Sequence, residues 1–137
     1  VTESWSEEQL TADGFERVYV ESHWNGEPLA GLADIDGKPH HFEIQRYDPS
    51  EYKVWPASEA VAELEREQWA IYARWYERSQ AGEVGHESHP GHGGIDARYD
   101  ELELLLAPHR LAPDGARRLV CELRFIAGVD VRYRVEG

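Results

Sequence analysis

Three histidines recur at every third position in one glycine-rich stretch: His86, His89 and His92, within AGEVGHESHPGHGG at residues 81–94. Neutral imidazole is the commonest metal-ligating side chain, and three of them suit zinc or another borderline ion. A catalytic zinc commonly takes three protein ligands and leaves its fourth position to water. Glu83, Glu87 and Asp96 lie close enough in sequence to serve as a fourth ligand or a general base. Two features argue the other way. Pro90 and the glycines exclude the helical His-x-x-x-His spacing of familiar metal motifs. A flexible loop is also a poor frame for exact ligand geometry. The competing reading is a histidine-bearing surface loop that meets metal only incidentally.

A second constellation is aromatic. Trp55, Trp69, Tyr72, Trp75 and Tyr76, with His40, are the residue types that line a small-molecule pocket. An aromatic stripe at helical spacing is equally the signature of a core. His40 and His41 are adjacent, so in a strand they point to opposite faces. His40 falls on the apolar face as a core histidine with one hydrogen bond, whereas His41 and His23 are expected to be exposed. Asp34-x-Asp36-Gly37 matches the start of a calcium loop but lacks the remaining ligands and the closing glutamate. Cys121 alternates with Leu119 and Leu123 and reads as a buried, inert thiol. No Ser-His-Asp signature, glycine-rich phosphate loop or Cys-x-x-Cys occurs.

The elements that must carry these residues follow from periodicity. Ser6 to Leu10 has the makings of one helical turn. Phe15 to Trp24 alternates as a strand, with Val18, Val20 and Trp24 on one side. Asp36-Gly37 is a two-residue type I′ turn signal. It sets the register of the hairpin Leu29 to Tyr47: Ile35 opposite Lys38, Ala33 opposite His40, Gly31 opposite Phe42, Leu29 opposite Ile44. Glu51 to Trp55 is a short further strand ending at Pro56. Residues 58–80 form a long helix with Ser58 at its N-cap and Gly82 past its end. Val61, Leu64, Gln68, Ile71 and Trp75 make its stripe, widened by Trp69, Tyr72 and Tyr76. The five glycines and one proline of residues 81–94 exclude a regular element there. Asp96 caps a second helix, 96–106, whose buried face is Tyr99, Leu102 and either Leu105 or Leu106. Residues 117–136 form a second hairpin. A three-residue loop, Ile126-Ala127-Gly128, pairs Phe125 with Val129, Leu123 with Val131, Cys121 with Tyr133 and Leu119 with Val135.

Strands followed by helices followed by strands indicate an α+β fold. We expect one domain across residues 1–137, with a curled antiparallel sheet of about five or six strands packed on one long and one short helix. Whether that sheet closes into a barrel is open.

The formal net charge is −13, and it is unevenly spread. Residues 1–56 contribute −8, residues 57–101 contribute −6 and residues 102–137 contribute +1. Such a surface repels phosphate backbones, which argues against nucleic acid, and attracts a basic protein. No apolar run is long enough to span a membrane. The acidic opening VTESWSEE lacks the basic start and apolar stretch of a secretory signal, and the single cysteine suits a reducing compartment, so a cytoplasmic location is expected.

Gly31-Leu32-Ala33 and Gly37-Lys38-Pro39-His40-His41-Phe42-Glu43, followed by a tryptophan-bearing helix with Trp69 and Trp75, His89-Pro90, and Arg98-Tyr99 leading into Leu102, resemble a family of small bacterial proteins with no established activity. The resemblance spans residues 24–106 and implies the same strand-and-helix fold. Its motifs are turns and aromatics and imply no chemistry. Three functional readings therefore stand: a non-catalytic cytosolic protein that binds a protein partner, a metal-binding protein or metal-dependent enzyme using the histidine loop, with zinc as the candidate ion, and a small-molecule binder using the aromatic helix face.

Overall fold

The computed structural model describes residues 6–24, 27–47, 49–126 and 130–135. The chain divides into two compact units: Val1–Ser58 with Ala112–Gly137, and Glu59–Leu111.

The first unit is a β-barrel. Its strands are β1 (Glu16–Trp24), β2 (Glu27–Ile35), β3 (Lys38–Arg46), β4 (Ser50–Pro56), β5 (Arg117–Ile126) and β6 (Asp130–Val135). Each runs antiparallel to the next, and β1 closes on β6 through Glu16 opposite Tyr133 and Arg17 opposite Arg132. The turn between β2 and β3 sets the register for a physical reason. Asp36 and Gly37 both sit at positive φ, 53° and 76°, the type I′ geometry that matches strand twist. Ile35 therefore faces Lys38, Ala33 faces His40 and Gly31 faces Phe42. Ala33, Ile35, Phe42, Tyr52, Val54, Leu119, Cys121 and Tyr133 fill the interior, with Val18, Ile44 and Leu123 packed against them.

One end of the barrel is held by a polar network. The Glu16 carboxylate accepts the backbone N–H groups of Asp36 (3.1 Å) and Gly37 (2.9 Å), pinning the turn to β1. The Tyr133 hydroxyl donates to the Asp34 carbonyl and lies 3.3 Å from the Glu16 carboxylate, and Tyr19 donates to the Asp34 carboxylate (2.6 Å). Burial, with the Glu16 charge beside it, pushes the Tyr133 phenol up, so it stays a donor. A short helix, α1 (Glu7–Ala12), precedes β1. Its Ser6 cap and Gln9 form a reciprocal capping box. Leu10 of this helix and Phe15 are buried, and the Arg134 guanidinium lies 4.6 Å from the centre of the Phe15 ring.

Three expectations are corrected. Val18 faces Ala33, but Val20 faces Leu32, so a bulge at Tyr19 breaks the simple alternation of the first strand. The last hairpin pairs Phe125 with Val131, Leu123 with Tyr133 and Cys121 with Val135, two residues from the expected register. A two-residue shift leaves every side chain on its original face, so alternation alone cannot choose between the two registers. The intervening residues 127–129, and with them Gly128, lie outside the described residues. His41 is buried rather than exposed, stacked on Trp55 with ring centres 5.7 Å apart.

The second unit holds α2 (Glu59–Gln80) and α3 (Ala97–Leu106). Gly82, at φ +75°, ends α2 in a Schellman motif: its N–H bonds the Ser79 carbonyl, and that of Glu83 bonds the Arg78 carbonyl. Asp96 caps α3 by accepting the Tyr99 N–H at 2.9 Å. Leu102 and Leu106 are fully buried and Leu105 is exposed. A four-residue 3₁₀ turn, Ala107–Arg110, follows α3. It delivers Arg110 to Glu65 of α2, a carboxylate only 2% exposed, through two bonds of 2.6 and 3.0 Å. Arg110 also bonds Glu103, and Gln68 donates to Glu103 and to the Tyr99 carbonyl. The α2–α3 contact thus rests on a charged clamp as well as on leucines.

Candidate functional site

The histidine loop is better ordered than its composition suggests. It contains two single 3₁₀ turns, His86–Ser88 and Pro90–His92, where no regular element was expected. Three residues suffice for such a turn, and Pro90 occupies its first position, where no N–H is needed. The turns are fastened at several points. The Trp75 indole N–H donates to the Ser88 hydroxyl (2.9 Å), which donates to the Gly85 carbonyl (2.7 Å). The Gly94 N–H donates to Asp100 (2.9 Å). A side chain at Gly91 would meet the His89 ring at 2.9 Å, so glycine is required for that close approach.

These bonds bring His86, His89 and His92 together. Their ring centres are 6.0 Å apart for His86 and His89, 5.6 Å for His86 and His92, and 5.4 Å for His89 and His92. The triangle stands on aromatic residues of α2. Trp75 is 4.4 Å from His89 and Tyr72 is 5.5 Å from it. Tyr72 in turn touches Trp69, Trp75 and Tyr76, so four of the aromatics singled out from sequence form one cluster with the loop. The other two candidates belong to the barrel. His40 lines the interior, with its Nδ1 2.9 Å from the Lys38 carbonyl oxygen. Trp55, opposite His41 in the β3–β4 ladder, is on the other face of the wall.

Two of the three rings have a nitrogen engaged within the loop. His89 Nδ1 accepts the Gly91 N–H at 2.8 Å. His92 Nε2 lies 3.2 Å from the His86 carbonyl oxygen, a contact that only a protonated Nε2 can make favourable. Of the three carboxylates considered as further ligands, Asp96 caps α3, Glu83 pairs with Arg78 at 3.5 Å and Glu87 folds over Gly85. Among the described residues no three histidine, cysteine, aspartate or glutamate side chains are arranged to hold a metal ion as they stand.

Burial holds the His89 imidazole below its ordinary range, and the nearby His92 and His86 add to the effect. The sign of the consequence is fixed. A histidine with a depressed folded pKa is protonated more readily in the unfolded chain, so its contribution to stability is present above about pH 6.5 and is lost as pH falls. In chelator-treated protein, urea unfolding at ~pH 7.5 and ~pH 5.5 is expected to show a loss at the lower pH that is smaller in His89→Gln. An equal loss in the variant would remove His89 as its source.

The barrel interior also holds a small cavity. Its lining includes Val18, Ile35, His40, Phe42, Tyr52 and Leu123, and its free volume is about 30 Å³. That is room for one or two water molecules, not for a metabolite as the side chains stand. Cys121 lies in this lining and is buried, as its alternation with leucines indicated. The sequence reading missed Glu65 and Arg110. A glutamate within an apolar helical stripe was the available signal, because a buried carboxylate demands a cation.

Among the described residues no helix is long and apolar enough to cross a membrane. No protein-family model, curated protein or solved structure matches the chain.

Proposed function

We propose that the chain is a non-catalytic binding protein whose partner is a protein with a basic face carrying apolar anchors. The observation that carries this reading is the exposure of large apolar side chains at the end of α3. Leu104 is 80% exposed and Leu111, just past the following 3₁₀ turn, is 74% exposed; Leu105 is about half exposed. Leucines this open do not serve the unit's own core, and they sit beside exposed Glu101 and Glu103. Apolar anchors ringed by polar groups are the usual anatomy of a protein interface. The chain's charge of −13 favours a cationic partner and disfavours nucleic acid. A bacterial cytosolic setting and kinship with the small bacterial family resembled by residues 24–106 belong to the same reading.

The test compares the wild-type chain with Leu104→Asp/Leu111→Asp in affinity capture from lysate at low salt and at ~1 M ionic strength. A specific basic protein should be held by the wild type at low salt, and released both by high salt and by the double substitution. Identical recovery by the two chains would exclude this face as the interface.

A further inference from the structure

We propose that His86, His89 and His92 close on one borderline divalent cation, Zn²⁺ being the best match, as a three-imidazole site on the α2–α3 connection. The argument starts from spacing. A tetrahedral zinc holds imidazole nitrogens at about 2.0–2.1 Å, which places three ligating rings with their centres roughly 5 Å apart. The rings here are already 5.4 to 6.0 Å apart. A ring centre lies almost on the Cβ–Cγ axis, so rotation about that bond re-aims the nitrogens and hardly moves the centre. That torsion is soft in histidine. The backbone has therefore done the expensive part of assembly, and ring rotation remains.

The hydrogen bonds fit the same arrangement. His92 with a proton on Nε2, donating to the His86 carbonyl, carries its lone pair on Nδ1. A ligating histidine that donates its other N–H to a backbone carbonyl is the usual second-shell pattern of metal sites. His89 must release the Gly91 N–H, which is exposed and can turn to water. His86 and His92 are exposed, so a cation has access. The Trp75–Ser88–Gly85 chain supplies the rigidity that a glycine-rich loop otherwise lacks. A fourth position is left for water or for a carboxylate of the loop, Glu87 being the nearest in sequence.

The experiment uses untagged, chelator-stripped chain titrated with ZnCl₂ by calorimetry, and with Co²⁺ by visible absorption. The expected result is one Zn²⁺ per chain at Kd of ~1 μM or tighter, and a Co²⁺ spectrum of tetrahedral intensity. His92→Ala and His86→Ala should each weaken binding at least about 100-fold, and His109→Ala should leave it unchanged. Far-UV circular dichroism of each variant establishes that the helices persist. Absence of saturable binding would overturn the proposal. So would binding of several ions per chain, or binding that both loop variants retain. None of these outcomes bears on the leucine face, because the two sites share no residue.

Discussion

Arg110→Ala is expected to destabilise the helical unit by about 3 kcal/mol, because it takes the guanidinium away from the buried Glu65 carboxylate. Glu65 is 2% exposed, and Arg110 holds it with two hydrogen bonds. Breaking a buried pair costs 3–5 kcal/mol in comparable cases, and the lower end applies because Arg110 is itself about one-third exposed. Gln68 keeps its hydrogen bond to Glu103 in the variant, which also moderates the loss. Urea unfolding followed by far-UV circular dichroism measures it. The double variant Arg110→Leu/Glu65→Leu provides the decisive comparison, since replacing both partners by apolar groups removes the buried charge itself. It should recover most of the stability that Arg110→Ala loses. If the double variant is as unstable as the single one, packing by Arg110 rather than charge compensation holds α2 to α3.

Trp75→Ala is the second large effect. The indole supports the His89 ring at 4.4 Å and anchors Ser88 by its N–H. Removing it deletes the platform and releases the loop together, at an expected cost of about 3 kcal/mol. Trp75→Phe keeps most of the platform but loses the hydrogen bond, and should cost about 1 kcal/mol. The readout that separates loop from helix is the amide spectrum of residues 85–92. Those resonances should shift or broaden in Trp75→Ala while α3 amides beyond Leu102 stay in place. Uniform broadening would mean that Trp75 supports the whole unit rather than the loop.

Much of the fold was legible because local chemistry dictated it. Asp36-Gly37 could adopt one tight turn, and that turn fixed the β2–β3 register. Asp96 and Gly82 marked helix ends through hydrogen bonds that only such residues make cheaply. Closure of the sheet was not legible, because pairing of β1 with β6 joins residues that no local pattern links. The two-residue slip of the last hairpin was hidden by the period of the strand itself. In the candidate site, the histidine spacing was visible from the start. What could not be read was that Ser88 and Trp75 would turn a glycine-rich segment into a fastened one, because that contact spans the end of a helix. The buried Glu65 shows the converse. Its helical position was clear, but its need for Arg110 becomes evident only once burial is known.

The placement of the helical unit has a consequence for synthesis. β4 and β5 are ladder neighbours, with Val54 opposite Arg117, yet the whole of Glu59–Leu111 lies between them in the chain. As the nascent chain emerges, β1 to β4 can pair in order through short turns, but the sheet then has two open edges, β1 and β4. It keeps them until the helical unit has been made and β5 and β6 follow. Open strand edges are where chains pair wrongly with one another. Fast, local folding of the helical unit would shorten that interval by bringing the start of β5 back to β4. The clamp and caps of that unit would then guard the barrel during its most exposed stage.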